Sequence, residues 1–421
     1  PSPALDDAAR IDRIRALEEL KGAVAAAQAR EAVEFKASQL ADQKAAGVPA
    51  RDLGKGISGQ LALARRESPH RAARLMGLAE ALVGEMPHTM AALSSGVISE
   101  WRATIVASQT ACLSVDDRRR VDARLAARLE TSSDRQLFTE ACQHAYAIDP
   151  LSFVTRGRKA VADRRVTIRP APDTMAIVSA LLPAAQGVAL FAALGKEADS
   201  RRSRGDARSR GQLMADTLVE RITGQTAAHQ VPVEVRLVMT DRGLFAGDST
   251  PARLEGYGPL PAATARGLIA NLDPDTRAWL RRLDTDPVSG RLTGMDTTRR
   301  LFESHHRRVI EVRDEICRTP WCGAPIRHAD HVVPVEHGGQ TSEPNGQGLC
   351  EACNHAKQAY RWRSQPGTGG ASESVHITTP TGHTYTSRPP PLPGAPPGRR
   401  VSRPRRIDVF WSPLTGATPA A

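Results

Sequence analysis

Apolar residues recur at helical spacing through most of the first half of the chain. Between 5 and about 46, Ile11, Ile14, Leu17, Leu20 and Val24 fall three or four residues apart among charged neighbours, and Val33, Phe35 and Leu40 extend the pattern less regularly. Gly47-Val48-Pro49 stops it, so the pattern predicts one long helix. The stripe is expected to pack onto the helices that follow; self-association of the chain through it is the other use. Ser68-Pro69 offers an N-cap with proline at the first helical position, and the helix it opens runs to Gly84. Further helices are predicted over 88–112, broken near Gly96, from Ser114 to about 130, from Ser133 to about 147, and from Asp149-Pro150.

The pattern then becomes mixed. Residues 165–170 read as a short strand, 173–181 and 183–202 as helices, and 208–224 as helix again. Val231 to Met239 alternates as a strand, and Gly243, Gly247 and Gly256 punctuate a small β-containing segment to about 295. Near the C-terminus, Asp330-His-Val-Val-Pro reads as a short apolar strand and Asn354 to Lys357 as the start of a helix. After Gln365, Val375 to Tyr385 suits a hairpin around Thr381-Gly382, and 387–406, rich in Pro and Arg, suits no fixed fold. The expected fold is mainly α. It divides into a long N-terminal helix (1–48), a mostly helical domain with a small α+β segment (49–296), a compact module (297–365), and a hairpin with a disordered basic tail (366–421).

Composition narrows the partners. The 421 residues carry a formal charge of +11, and of the 57 basic residues 50 are Arg and 7 Lys. Arg presents a planar fork that matches phosphate, so a polyanion is the favoured partner; GC-rich coding produces the same bias with no functional meaning. The excess is uneven, since 301–365 balances eight basic against eight acidic residues while 387–421 holds six Arg and one Asp. Arg201, Arg202, Arg204, Arg208 and Arg210 form a second basic run, a candidate for DNA backbone or a solvated loop. No apolar run is long enough to span a bilayer and no apolar leader is visible, which points to the cytoplasm. The first residue is Pro1, so a segment upstream stays open. Gly54 to Gly59 matches GxGxxG, but a helix precedes it where a nucleotide fingerprint needs a strand, and a helix connector is expected.

The chemistry concentrates between 317 and 357. Cys317-x4-Cys322 and Cys350-x2-Cys353 supply four thiolates in two short pairs, the donor set of a closed structural Zn²⁺ site with no position left for water. Between and after the pairs come Asp330-His331, Gly338-Gly339, Asn345, and Asn354-His355-Ala-Lys357. This ordered set resembles the HNH (ββα-metal, treble-clef-like) endonuclease motif. Three further stretches resemble the domain of unknown function 222, of the 13E12 repeat group: LALARRESPHRAARLMGLAEALVGEMP, SEWRATIVASQTACLS and RGQLMADTLVERITG. Together the likeness covers most of 50–365.

The resemblance implies a phosphodiester hydrolase acting on DNA. His331 takes the family's general-base position, where an imidazole deprotonates water near neutral pH. Asp330 and Asn354 take the positions that ligate one catalytic Mg²⁺ or Mn²⁺ through oxygen, with His355 next door as the other candidate ligand. Asn345 corresponds to the middle Asn, which orients the base. Lys357 suits a phosphate oxygen as a point charge, and Arg361 and Arg363 would extend contact to the DNA backbone. His328 and His337 suit a residue that holds a ligand in place, a spare ligand or a plain surface residue, His337 before Gly-Gly being the better candidate, and His305 and His306 suit a solvated helix. Two other functions compete: a non-catalytic zinc module that only binds DNA, and a scaffold whose helical domain binds proteins.

Overall fold

A computed structural model describes residues 6–224, 237–270, 283–285, 292–295, 302–367 and 374–393. The N-terminal part is a bundle of eight helices: α1 (Asp7–Ala45), α2 (Ile57–Arg65), α3 (Pro69–Glu85), α4 (Pro87–Ser94), α5 (Glu100–Thr110), α6 (Val115–Leu125), α7 (Asp134–Ile148) and α8 (Pro150–Ala160). The starts follow the capping residues. Ser68, Ser99, Ser114 and Ser133 each accept the backbone N–H three residues on, and Ser133 completes a capping box with Gln136. The start of α4 is capped from a distance: the fully buried Asp122 of α6 accepts from His88 N (2.7 Å), Thr89 N (3.0 Å) and the Thr89 hydroxyl. A carboxylate at a helix N-terminus meets both unpaired amides and the positive end of the dipole.

The core sits between α1 and the helices α3 to α7, around Leu82, Met86, Leu93, Val106, Val121, Leu125, Leu129 and Leu137. α1 enters it with small residues, Ala25, Ala26, Ala29 and Ala32. At Gly22 a Cβ would sit 2.8 Å from the Ile98 carbonyl oxygen, so the absence of a side chain sets how closely α1 passes the α4–α5 loop. The expected stripe is not what packs. Ile11, Ile14 and Leu17 are 59%, 61% and 55% exposed, and Leu20 and Val24 are also exposed. The helical spacing was right, but these five side chains face away from the bundle, while Val33, Phe35 and Leu40 of the same pattern pack against its core.

Two antiparallel strands follow, β1 (Arg165–Pro170) and β2 (Ala176–Leu181), paired from Arg165↔Leu181 to Pro170↔Ala176. The helix expected over 173–181 is therefore a turn and a strand. Asp173 and Thr174 turn the chain with positive φ, and the β-branched Ile177 and Val178 follow. The helical hairpin α9 (Ala184–Ser203) and α10 (Arg210–Thr223) comes next. Three of the five arginines in the run at its turn have carboxylate partners, while Arg202 and Arg204 are exposed with none among the described residues. Arg201 pairs with Glu197 and Glu220, Arg208 with Asp206 and Asp216, and Arg210 with Asp199. Its hydrogen bonds to Arg208 hold Asp206 down at about 2.

A small sheet, in order β3 (Leu237–Val238), β4 (Ala252–Leu254) and β5 (Gly258–Leu260), packs with α11 (Asp241–Phe245) and α12 (Ala262–Ala270). β6 (Leu283–Thr285) pairs β7 (Leu292–Met295). Of the strand expected from Val231 to Met239, residues 231–236 lie outside the described residues, as does the tail from 394.

The C-terminal module runs α13 (Phe302–Asp314), β8 (His328–His331), β9 (Gly346–Leu349) and α14 (Glu351–Lys357). A three-stranded sheet, β10 (Arg363–Pro366), β11 (Val375–Thr378) and β12 (Thr384–Ser387), closes it. The β11–β12 hairpin is the one expected around Thr381-Gly382, with β10 as an added strand. This module rests on the helical bundle. Trp362 lies against Gly56 and Gly59 of the α2 region, where a Cβ on Gly56 would come 2.5 Å from the indole nitrogen. Leu63 of α2 joins Val332, Val375 and Ile377 in one buried cluster. The GxGxxG stretch is thus a connector and a seat for an indole. Among the described residues, no helix is long and apolar enough to cross a membrane.

Candidate active site and metal centre

The four cysteines meet at one point. Their sulfur atoms all lie within 4.8 Å of one another and all four residues are buried. Cys322 Sγ is 3.6 Å from Cys350 Sγ and 3.7 Å from Cys353 Sγ. Disulfides would need about 2 Å, whereas four thiolates about 2.3 Å from a tetrahedral Zn²⁺ stand about 3.8 Å apart. The spacing fits zinc. Hydrogen bonding with Cys322 draws the Cys317 thiol down to about 7, and hydrogen bonds, Cys317 first, lower Cys350 as well. Cys322 and Cys353 are pushed up, in both cases chiefly through Cys317. A cation at the centre would let all four ionise together. The knuckle also orients the module, because Cys350 caps α14 and Cys353 lies in its first turn.

β8 and β9 form the hairpin in front of α14, with Asp330↔Gln347 and His331↔Gly346 in register. Gly346 and Gly348 leave room for Ile310 and Ile326 against β9. Beneath the hairpin lies a buried ionic knot. The fully buried Asp314 accepts from Arg313 Nε (2.7 Å), Arg318 Nη1 (2.8 Å) and Gly348 N (2.7 Å). Arg313 also donates to the carbonyls of Glu343 and Gly346, and Arg318 to the Ser387 hydroxyl. One carboxylate therefore ties α13, β9 and β12 together. The sequence shows these three residues only as neighbouring charges, because the backbone groups and the Ser387 hydroxyl they hold lie 30 or more residues away.

His331 ends β8, and its Nε2 lies 2.9 Å from the Thr341 hydroxyl. Thr341 went unnoticed in the sequence, where a lone Thr in a loop gives no signal. Asn345 is buried and clamps the loop between the strands. Its Oδ1 accepts from Val333 N (2.9 Å), and its Nδ2 donates to Val333 O (3.0 Å) and Gln340 O (2.8 Å). Its own carbonyl accepts from Val332 N. Gly339 cannot carry a Cβ here, because that atom would collide with the Val333 carbonyl.

Lys357 Nζ donates to Asp330 Oδ2 (2.5 Å) and to the His331 carbonyl. That ammonium is mostly buried, so the pair joins α14 to β8. Asn354 is three residues earlier on α14 and shares the Lys357 face. Its Oδ1 is buried with no hydrogen-bond partner, whereas His355 is exposed. An oxygen acceptor buried without a donor is costly unless a cation or donor arrives. The donor set of Asp330 carboxylate and Asn354 amide oxygen fits a hard divalent cation. Arg363 lies in β10 opposite Thr378, and Arg361 sits 5.9 Å from the Tyr360 ring. His328 and His337 are exposed; His306 is half-buried, and the His305 side chain lies outside the described residues.

Fold and site together define a helical domain carrying a zinc-knuckled ββα module. The family described as Domain of unknown function (DUF222) matches residues 14–314, and the HNH endonuclease family matches 317–359. The chain belongs to the first family and carries an HNH endonuclease domain, which points to nuclease activity. No curated protein and no solved structure matches it.

Proposed function

We propose that the chain is a metal-dependent DNA endonuclease, with the HNH module as its catalytic part. The observation that carries this reading is the grouping around β8 and α14. Asp330 and His331 end one strand, Lys357 reaches back to both, and Asn354 on the same helical face holds a buried, unpartnered oxygen.

In this reading His331 takes a proton from water as its oxygen attacks phosphorus. The new P–O bond forms as the bond to the leaving sugar oxygen breaks, and that oxygen ends protonated. Thr341 fixes the ring: with Nε2–H donating to its hydroxyl, Nδ1 is left as the base. Asn345 keeps the strand exit in place by holding both polar groups of the Val333 backbone. Asp330 and Asn354, rather than the exposed His355, would hold Mg²⁺ or Mn²⁺, which when bound supplies positive charge to the phosphate and the leaving oxygen. Lys357 neutralises Asp330 in the resting chain and is freed toward a phosphate oxygen when Asp330 takes another partner. Arg361 and Arg363 flank that path to the backbone.

The Lys357–Asp330 pair also favours a second reading, in which the carboxylate is satisfied without metal and the module only binds DNA. The test is single-turnover cleavage of a labelled duplex by zinc-loaded wild type and His331→Ala, with binding measured in parallel. The nuclease reading expects cleavage to fall by about 10²- to 10⁴-fold with binding retained. Equal binding with no cleavage by either protein would establish the second reading.

A further inference from the structure

In the Arg201–Arg210 run, Arg201, Arg208 and Arg210 have carboxylate partners, while Arg202 and Arg204 have none among the described residues. A second run has no member so paired: Arg156, Arg158, Lys159, Arg164, Arg165 and Arg169, against the single acid Asp163. All six are exposed, and none has a carboxylate partner among the described residues. Arg156 and Arg165 donate only to backbone carbonyls, those of Ser108 and Asp163. This contrasts with α9–α10, where each of Arg201, Arg208 and Arg210 is paired. Six cations within 14 residues repel one another, and a fold that needed them only for itself would supply acids, as α10 does.

The element that carries them needs a partner on other grounds. All six residues of each strand of the β1–β2 ribbon are exposed. A lone two-stranded ribbon is marginal in water, because neither face is buried. Tyr257 donates to the Ala171 carbonyl at 3.4 Å, a contact at the turn rather than on a face. The register sorts the side chains. Arg165, Thr167, Arg169, Ile177, Ser179 and Leu181 share one face, and Val166, Ile168, Val178 and Ala180 lie on the other. The ribbon is about 20 Å long, and a major groove about 12 Å wide admits a two-stranded ribbon.

We propose that α8 and the β1–β2 ribbon are a DNA-holding arm, separate from the nuclease module, which grips the duplex backbone through these six cations. The inference rests on DNA being the substrate of the HNH module. With the Arg165–Arg169 face turned to the duplex, both long side chains reach phosphates along the groove, and Ile177 and Leu181 on that face suit apolar contact with thymine methyl groups. Arg156, Arg158 and Lys159 of α8 extend the same track. Binding in such a mode is dominated by counterion release and carries little sequence preference.

The test uses the full, zinc-loaded chain without catalytic metal, so that DNA stays intact. Duplex affinity is measured against salt for wild type, Arg165→Ala/Arg169→Ala, Arg158→Ala/Lys159→Ala, and the control Arg208→Ala/Arg210→Ala. Each double variant of the arm should lower the slope of log K against log salt by about 2, at about 0.9 per lost phosphate contact, and weaken low-salt binding more than tenfold. The control should match wild type. Because the arm residues are exposed, circular dichroism should be unchanged; an Arg165→Lys/Arg169→Lys variant that restores the slope guards against local misfolding. An unchanged slope in both arm variants overturns the proposal, as does tight binding to phosphatidylserine vesicles with none to duplex. Cleavage with an unaltered salt slope would sink the arm and leave the nuclease reading standing. A lowered slope with no cleavage in any metal would do the reverse.

Discussion

At the scale of residues, the site depends on groups that touch His331 and its loop rather than on the motif alone. The Thr341 hydroxyl lies 2.9 Å from His331 Nε2 and holds the ring's orientation; in the proposed mechanism it accepts from Nε2–H. Thr341→Ala should lower kcat about 10- to 100-fold with KM little changed, and Thr341→Ser should restore it; a KM effect alone would show that Thr341 acts in binding. Asp314 carries a different burden. It is fully buried between Arg313 and Arg318. Asp314→Ala leaves two buried guanidinium groups without their carboxylate and should destabilise the module by about 3–5 kcal/mol, read by denaturant unfolding. A loss below about 1 kcal/mol would mean that water replaces the carboxylate. Neither residue was legible in the sequence, since Thr341 lies ten residues from its partner and Asp314 is tied to β9 and β12. The clustering of the four cysteines was legible in their paired spacing, and Asp330, His331, Asn345 and Asn354 were singled out by an order that repeats a known pattern.

At the scale of elements, helix starts were legible wherever a side chain caps its own helix, as at Ser68 and Ser133. Residues 176–181 were not, because a short apolar run lacks a period that separates strand from helix. The exposed stripe of α1 and the Arg run, three of whose five members are paired, fail for a shared reason. Pattern tells which residues are apolar or charged, while their partners, the bundle's edge or Glu220 and Asp216 on α10, are fixed only by packing. The contact of α2 with the module is of the same kind. Leu63 and Val332 are both nearly inaccessible and belong to one cluster, and Val332 adjoins His331. Leu63→Ala should cost about 2–5 kcal/mol and lower the rate of cleavage as well as stability. If stability falls and the rate per folded molecule does not, the helical domain supports the module without positioning the base.

At the scale of the whole molecule, two cores answer to different forces. The bundle is held by its own apolar side chains, and the module by four cysteines, the Asp314 knot and a seat on α2. Zinc analysis should therefore return one ion per chain, lost in Cys350→Ser. Chelation should loosen 317–359 to protease while most helical circular dichroism remains, since the bundle core contains no module residue. Loss of all helical signal would show that the bundle needs the module to fold. The charge that first suggested DNA is uneven: 301–365 balances, 387–421 carries six Arg against one Asp, three of the five Arg201–Arg210 cations are paired, and none on the ribbon arm has a carboxylate partner among the described residues. The nuclease claim thus rests on the site and not on net charge. Its most direct test is supercoiled plasmid incubated with the zinc-loaded wild-type chain in Mg²⁺, Mn²⁺ or EDTA. The account predicts nicked or linear product with a divalent metal and none with EDTA; plasmid left supercoiled in every metal, with zinc intact, would contradict it.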